Sequence, residues 1–313
     1  MKKLDQSSYR EVKNWMHRNA RPLELALWQY YFEEGSREKI AEELSYYQNE
    51  DGGFGNCLEA DSWNPESTPY GVLIAVGILR ENGVFDPKSP MVQGIFRYLE
   101  SGVYSSGQGW FFCIPSNDLY PHAPWWSYSE EANALQGMGI TAALSGTILH
   151  YADRNSKLYQ TAFGYAKQIL NQVDNTEDFG EMGVGGIFSL VGDIEQSGLA
   201  SEFDCTIAKQ KLPELVNKSI ERDVSKWSGY CPRPSEFIPS PYAPAYKGNE
   251  EIVDKELDYL IETRNPGGVW DITWTWFDLT EKYSKEFALS ENWWKASKAI
   301  EKMRFLKNFG RIS

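Results

Sequence analysis

Apolar residues recur with a helical period along most of the chain. Between residues 36 and 48 one face is apolar and the opposite face is charged, the pattern of a helix that lies on a core. The segment Ser67–Gly83 opens with capping residues and a proline and ends at a glycine, as helices do. Its residues 72–79 are apolar or small on every side, which predicts a buried helix.

This pair, an amphipathic helix followed by a glycine-aromatic turn and an apolar helix, recurs at intervals of about 40 to 80 residues. The turn markers are Phe54, Trp110, Phe188, Tyr230 and Trp270. Such a period indicates repeated helical hairpins. No segment has the composition of a linker, so we predict one all-α domain over residues 1–313. Because apolar helices must be covered, we expect an (α/α) toroid with outer amphipathic and inner apolar helices around a central cavity.

Three of the turns resemble those of a known superfamily. QNEDGGFG (Gln48–Gly55), GQGW (Gly107–Trp110) and NPGGVW (Asn265–Trp270) are similar to the turn repeats of squalene cyclases and protein prenyltransferases, whose fold is an (α/α) toroid. With NARPL (Asn19–Leu23) and EADSWNP (Glu59–Pro65), the whole chain also resembles uncharacterised bacterial prenyltransferase-like proteins. That resemblance carries no function.

The active-site signatures of the superfamily are missing. Where zinc-dependent prenyltransferases have Asp-x-Cys, the chain has Asp61, Ser62 and Trp63, and the late histidine ligand has no counterpart. The Asp-x-Asp-Asp acid of triterpene cyclases and the aspartate-rich magnesium motifs of terpene synthases are also absent from the sequence. We therefore expect no metal and no cofactor, and leave open whether Cys57 or Cys231 binds a metal.

Three residues are candidates for acid-base chemistry. Glu59 and Asp61 follow the first glycine turn, where paired carboxylates act as acid and base or as acid and nucleophile; they serve equally well to bind the backbone of their loop. His122 lies in the aromatic insertion SNDLYPHAPWW (Ser116–Trp126), and long loops on a rigid scaffold commonly carry function. A plain loop histidine is the alternative.

Candidate ligand-binding residues share loop positions beside glycine, proline or an acid, where aromatic rings line cavities as readily as they fill a core. Trp270 and Trp274 are expected on one face at the start of an inner helix, and Arg233 is suited either to an anionic group or to an acidic neighbour. The full set is Trp63, Trp110, Trp125, Trp126, Tyr230, Arg233, Trp270, Asp271 and Trp274.

The composition limits the classes of partner that the protein is expected to bind. A formal charge of -13 disfavours nucleic acid and anionic membrane surfaces, which both require concentrated positive charge. No apolar run reaches the length of a membrane span or a secretory signal, and the four cysteines form no Cys-x-x-Cys pair. We expect a cytoplasmic protein with a small-molecule ligand.

Aromatic residues make up 14% of the chain, enough to line a ligand cavity. The first functional hypothesis is an enzyme or binding protein for an isoprenoid or other apolar ligand, with aromatic rings stabilising a carbocation. A carbohydrate-active toroid with paired carboxylates, and a non-catalytic binding toroid, are the alternatives.

Overall fold

The structure, a computed structural model, describes residues 2–313. In this range the chain forms thirteen α-helices, a few short 3₁₀ helices and one two-stranded antiparallel ribbon. This confirms the predicted all-α class. Closure of the helices into a ring stays a prediction.

The helices belong to two compact units. The central unit is Leu44–Glu214, and the terminal unit combines the residues as far as Glu43 with Leu215–Ser313. The predicted organisation as one domain is not tested by this division.

The central unit is built from five complete helices and the ribbon. In chain order its elements are α4 (Pro69–Glu81), α5 (Pro90–Ser101), β1 (Ser105–Ser106), β2 (Gly109–Trp110), α6 (Glu130–Tyr151), α7 (Lys157–Gln172) and α8 (Gly180–Gln196). Two 3₁₀ turns, Pro115–Leu119 and Pro124–Trp126, lie between β2 and α6. The predicted cap of α4 is confirmed, because the Thr68 hydroxyl accepts a hydrogen bond from the Gly71 N–H at 2.8 Å.

The terminal unit contains the remaining helices. They are α1 (Gln6–Asn19), α2 (Pro22–Phe32), α10 (Pro234–Phe237), α11 (Glu250–Glu262), α12 (Leu279–Lys282) and α13 (Ser284–Asn308), with a 3₁₀ turn at Val224–Lys226. Helices α3 (Arg37–Ser45) and α9 (Thr206–Ser219) contain the two points of division. Helix α13 packs on α1, α2, α11 and α12, so it is the central helix of this unit.

Helix α6 is the corresponding centre of the central unit and contacts α4, α7, α8 and β2. Its closest neighbour is α8, and glycines set their separation. A Cβ atom on Gly186 would lie 2.1 Å from the Gly139 carbonyl oxygen, and one on Gly139 would lie 2.3 Å from Met182. Both distances are far below van der Waals contact, so the two backbones touch directly.

This packing corrects one sequence prediction. GVGGIF (Gly183–Phe188) was expected to be a glycine-aromatic turn, but it lies inside α8. The glycines allow close helix packing instead of a turn, and Phe188 is exposed.

A second prediction is also wrong. The inner helix expected from Trp270 does not form, because residues 269–276 have no helical structure and the next helix, α12, begins at Leu279. Trp270 and Trp274 therefore do not share a helical face. The β-branched and aromatic residues of this segment have low helix propensity, which explains why no helix begins there.

A buried ion pair connects three helices of the central unit. The guanidinium of Arg80 on α4 binds both carboxylate oxygens of Asp193 on α8, and its Nη1 also donates to Thr147 on α6 at 2.7 Å. The Asp193 side chain is 1% exposed, and His150 Nδ1 lies 3.3 Å from it. Bidentate geometry with further hydrogen bonds is what such a pair needs to offset its desolvation.

Replacing Arg80 by methionine is expected to lower the free energy of unfolding by about 3 to 5 kcal/mol, because it leaves the Asp193 carboxylate buried without its main partner. Urea denaturation followed by circular dichroism measures the change. The double variant Arg80→Met with Asp193→Leu should recover much of the loss.

The matched control is Arg154→Met. Arg154 is 60% exposed and lies 4.0 Å from Glu202, so its loss should cost less than about 1 kcal/mol. Equal effects of the two substitutions would contradict a structural role of the buried pair.

Candidate functional site

The glycine turn Gln48–Gly55 is held tightly against α5. Gly52 has a φ of +94°, and a Cβ atom there would lie 2.2 Å from the Gly94 carbonyl oxygen. The Gln48 side chain donates to the Gly52 and Met91 carbonyls at 2.9 Å each. These contacts fix the turn as a corner of the fold, because no other residue type fits at Gly52.

The acidic segment, residues 59–65, follows this turn and has no regular secondary structure beyond an isolated bridge. Glu59 and Asp61 are both buried. The Glu59 Oε2 atom accepts a hydrogen bond from the Asp61 N–H at 2.7 Å. This carboxylate therefore stabilises the backbone of its own loop, which is the structural role considered for these acids.

The acidic segment pairs with the aromatic insertion. The Ala123 N–H donates to the Asp61 carbonyl at 2.9 Å, and the Trp63 N–H donates to the Pro121 carbonyl at 3.0 Å. Ser62 and His122 face each other in an antiparallel bridge. Two sequence clusters about 60 residues apart are thus brought together by backbone hydrogen bonds.

Asparagine side chains complete this junction. Asn64 Nδ2 donates to Ser116 Oγ and Asn117 Oδ1 at 2.9 Å each, and Asn117 Nδ2 donates to the Trp126 carbonyl at 2.9 Å. Asn64 and Asn117 are 3% and 2% exposed. A buried amide network with these partners fixes the relative position of the two loops.

A cavity lies at the junction and is partly open to solvent. Its volume is about 20 Å³, room for about one water-sized group. The polar residues of the lining include Glu59, Asn64 and Asn117, and Cys57 also contributes. Asn56 and Cys57 have φ values of +54° and +62°, two consecutive strained residues of the kind that cluster at binding sites.

Three aromatic rings form the apolar wall of the cavity. Phe112 and Trp126 stack with their centroids 4.7 Å apart, and Tyr70 lies 4.5 Å from Trp126 and 5.8 Å from Phe112. The Trp126 side chain is buried, yet its Nε1–H has no hydrogen-bond partner among the described residues. An unpaired buried donor is costly, and the indole N–H groups of Trp110 and Trp294 are unpaired in the same way.

His122 pairs with Ser62, a residue of the cavity lining, and is 6% exposed. Its Nδ1 atom is 2.7 Å from the Tyr120 carbonyl, and its Nε2 atom is 2.9 Å from the Ser127 hydroxyl. Both ring nitrogens thus have partners, so His122 is held in one orientation.

The other candidates of the central unit do not line the cavity. Trp110 is buried in edge contact with Tyr165 at 5.2 Å, Trp63 contributes its backbone to the loop pairing, and Trp125 is half-buried in a 3₁₀ turn. The cavity therefore brings together Glu59 and Trp126 from the predicted set. Tyr70, Phe112, Asn64 and Asn117 were missed, although Asn64 lies inside the acidic segment and Asn117 inside the insertion.

The remaining candidates lie in the terminal unit. Trp270 is buried and donates to the Leu260 carbonyl at 2.8 Å, which is the arrangement of a core tryptophan. Asp271 is exposed and pairs with Lys295 at 3.0 Å; the hydrogen bond from Asn265 and this pairing lower its pKa. Tyr230 is 66% exposed and contacts Trp274 edge to face at 6.1 Å.

Arg233 borders a buried charged cluster that the sequence reading missed. Its Nε atom lies 4.0 Å from Glu256 on α11, which is 1% exposed and accepts hydrogen bonds from the Ser235 N–H and hydroxyl at 2.7 and 2.6 Å. Burial raises the pKa of Glu256. The sequence did contain an indication that Glu256 is buried. Glu256 lies four residues from both Ile252 and Leu260, which places it on the apolar face of the helix.

Lys302 on α13 is buried above the Trp270 ring at 5.5 Å. Burial, together with the positive charges of Arg233 and Lys298, lowers the pKa of its ammonium group to about 7. The carboxylates of Glu256 and Glu301 act in the opposite direction. Desolvation is the dominant effect.

Lys302→Met is expected to stabilise the protein at pH 6 by up to about 5 kcal/mol. The folded chain loses the Lys302 proton near pH 7 and the unfolded chain near pH 10.5. The unfavourable contribution of Lys302 is therefore complete below pH 7 and disappears as the pH rises towards 10.5. Urea denaturation at pH 6, 8 and 10 measures this change.

Lys285→Met, an exposed lysine of the same helix, is the control and should show no such pH dependence. A stability difference for Lys302→Met that is the same at pH 6 and pH 10 would show that burial does not disfavour the charged form.

The described residues contain no group of three or more His, Cys, Asp or Glu side chains placed to hold a metal ion. Within the same range, every helix is too short or too polar to cross a bilayer.

Comparison with protein-family models, curated proteins and solved structures finds no match.

Proposed function

We propose that the central unit binds a hydroxyl-bearing ligand of the carbohydrate class in the cavity between the acidic segment and Trp126. The observation that carries the proposal is the composition of this one cavity, which Glu59 and two buried asparagines line together with three aromatic residues. Aromatic walls with a few fixed polar groups are typical of ligand pockets.

The hydrogen-bonding groups at the cavity match a hydroxyl group. An ionised carboxylate only accepts hydrogen bonds, whereas an indole N–H only donates them. A sugar hydroxyl does both, so it can donate to Glu59 and accept from the unpaired Trp126 Nε1–H.

The volume of the cavity sets the size of the buried group. About 20 Å³ holds one hydroxyl, and the rest of the ligand lies at the opening. Glu59 makes the ligand contact in this proposal. Asp61 supports the segment through the hydrogen bond that its carbonyl accepts from Ala123.

An isoprenoid ligand is the second candidate. It is favoured by the mutual contact of Tyr70, Phe112 and Trp126, because clustered rings bind apolar chains and stabilise cations. The two candidate ligands differ in their dependence on Glu59. A hydroxyl group needs the Glu59 carboxylate as a hydrogen-bond acceptor, whereas an apolar chain end does not.

The binding proposal is tested with a panel of mono- and oligosaccharides by ligand-observed NMR and calorimetry. Glu59→Gln and Trp126→Phe are each expected to weaken binding about 10- to 100-fold, since each removes a hydrogen bond to a buried or charged group worth about 1.5 to 3 kcal/mol. Trp126→Phe keeps an aromatic ring and removes the N–H.

Glu195→Gln is the control, because Glu195 is half exposed and pairs with Lys209; it should leave binding unchanged. Binding of polyprenyl alcohols that is unaffected by Glu59→Gln would favour the isoprenoid candidate. If no member of either panel binds the folded protein, the ligand proposal fails.

A further inference from the structure

Ser127 and His122 have the geometry of a nucleophile and its base. The Ser127 Oγ atom lies 2.9 Å from His122 Nε2, within the range for proton transfer between a hydroxyl and a base. The opposite ring nitrogen, Nδ1, is 2.7 Å from the Tyr120 carbonyl oxygen. These contacts are made within one loop of eight residues.

The direction of these hydrogen bonds follows from the chemistry of the atoms. A carbonyl oxygen only accepts, so Nδ1 carries the proton that it donates to Tyr120. In the neutral ring Nε2 is then the acceptor, and the Ser127 hydroxyl donates to it. The backbone carbonyl thereby selects the tautomer that makes His122 a base towards Ser127.

The surrounding residues hold this pair in place. The Ala123 N–H is bonded to the Asp61 carbonyl, and the Trp126 carbonyl accepts from Asn117, so both sides of the loop are tied to the buried junction. An Asp118 carboxylate oxygen lies 3.8 Å from His122 Nε2.

The pair lies in the same loop as one residue of the cavity wall. Ser127 is half-buried rather than enclosed, and the residue before it, Trp126, is part of the cavity wall.

We propose that Ser127 is a catalytic nucleophile and His122 its general base, and that together they cleave carboxylic esters. Nothing in this assignment depends on the carbohydrate proposal, because it rests on the contacts of the loop. Tyr120 acts as a positioning residue through its carbonyl group.

The reaction proceeds in two balanced steps. The Ser127 oxygen attacks the ester carbonyl carbon while its proton passes to His122 Nε2; the C–O bond to the alcohol then breaks, and the alcohol leaves with that proton. In the second step water attacks the acyl-serine, with His122 again taking and returning the proton. The carboxylic acid is released and Ser127 is restored.

The test uses the full chain and a biotinylated alkyl fluorophosphonate, which phosphonylates activated serines with loss of fluoride. Mass spectrometry of the digested protein should place the adduct on Ser127. Ser127→Ala is expected to abolish this labelling, and His122→Gln to slow it at least about 100-fold, the usual contribution of a general base. Hydrolysis of p-nitrophenyl acetate should fall in parallel.

Ser105→Ala is the matched control, because the Ser105 hydroxyl donates to the Gly102 carbonyl at 3.0 Å rather than to an imidazole; labelling should not change. Thermal unfolding of each variant separates loss of activation from loss of fold. If His122→Gln does not fold, the pH profile of wild-type labelling decides: an increase in rate through one titration supports the base, and a flat profile overturns it.

Three further results would overturn the proposal. They are the absence of any Ser127 adduct on the folded wild type, equal labelling of many serines, and labelling of Ser127 that a folded His122→Gln variant retains at full rate.

Discussion

The candidate site depends on the burial of two carboxylates in a segment without regular secondary structure. Glu59 and Asp61 lie in a loop that lacks a helix or a sheet to satisfy its backbone. Each polar group of such a loop needs a specific partner, since an unpaired buried group costs about 1 to 3 kcal/mol. The pairing with residues 121–123 and the amides of Asn64 and Asn117 provide these partners.

The same constraint creates the cavity. Once the acidic segment is fixed against the aromatic insertion, the rings of Tyr70, Phe112 and Trp126 come together from α4, the chain after β2 and a 3₁₀ turn. His122 is oriented by the same loop pairing, because its neighbour Ala123 is bonded to Asp61. A rigid site is thereby built from loops, and the helices supply the frame.

The parts of this arrangement that follow from local patterns were predictable from the sequence. The N-cap and the apolar sequence of α4 are encoded in neighbouring residues, and so is the Gly52 turn. Glu59 and His122 were identified by residue type and setting. The pairing between their two loops was not predicted, because no local sequence pattern indicates that residue 62 lies opposite residue 122.

Glycine and tryptophan show why the other predictions failed. Gly186 and Gly52 both lie in glycine-rich segments. Gly186 allows α6 and α8 to touch, whereas Gly52 has a positive φ and forms a turn. Trp270 and Trp126 both follow loop residues, but the indole N–H of Trp270 is bonded to the Leu260 carbonyl. These differences arise from tertiary contacts, which sequence periodicity does not report.

Two buried charged groups of the fold have complete hydrogen-bond partners, whereas the indole of Trp126 does not. Arg80 and Asp193 bind each other in bidentate geometry, and Glu256 accepts two hydrogen bonds from Ser235, so these buried charges are satisfied within the fold. At the cavity, the Trp126 N–H is unpaired among the described residues and lies on a wall that also carries a carboxylate. Unpaired buried donors are not confined to the cavity, because the indole N–H groups of Trp110 and Trp294 also lack a partner among the described residues. Trp126 differs from these two residues in its position, since it lines the cavity that Glu59 also lines.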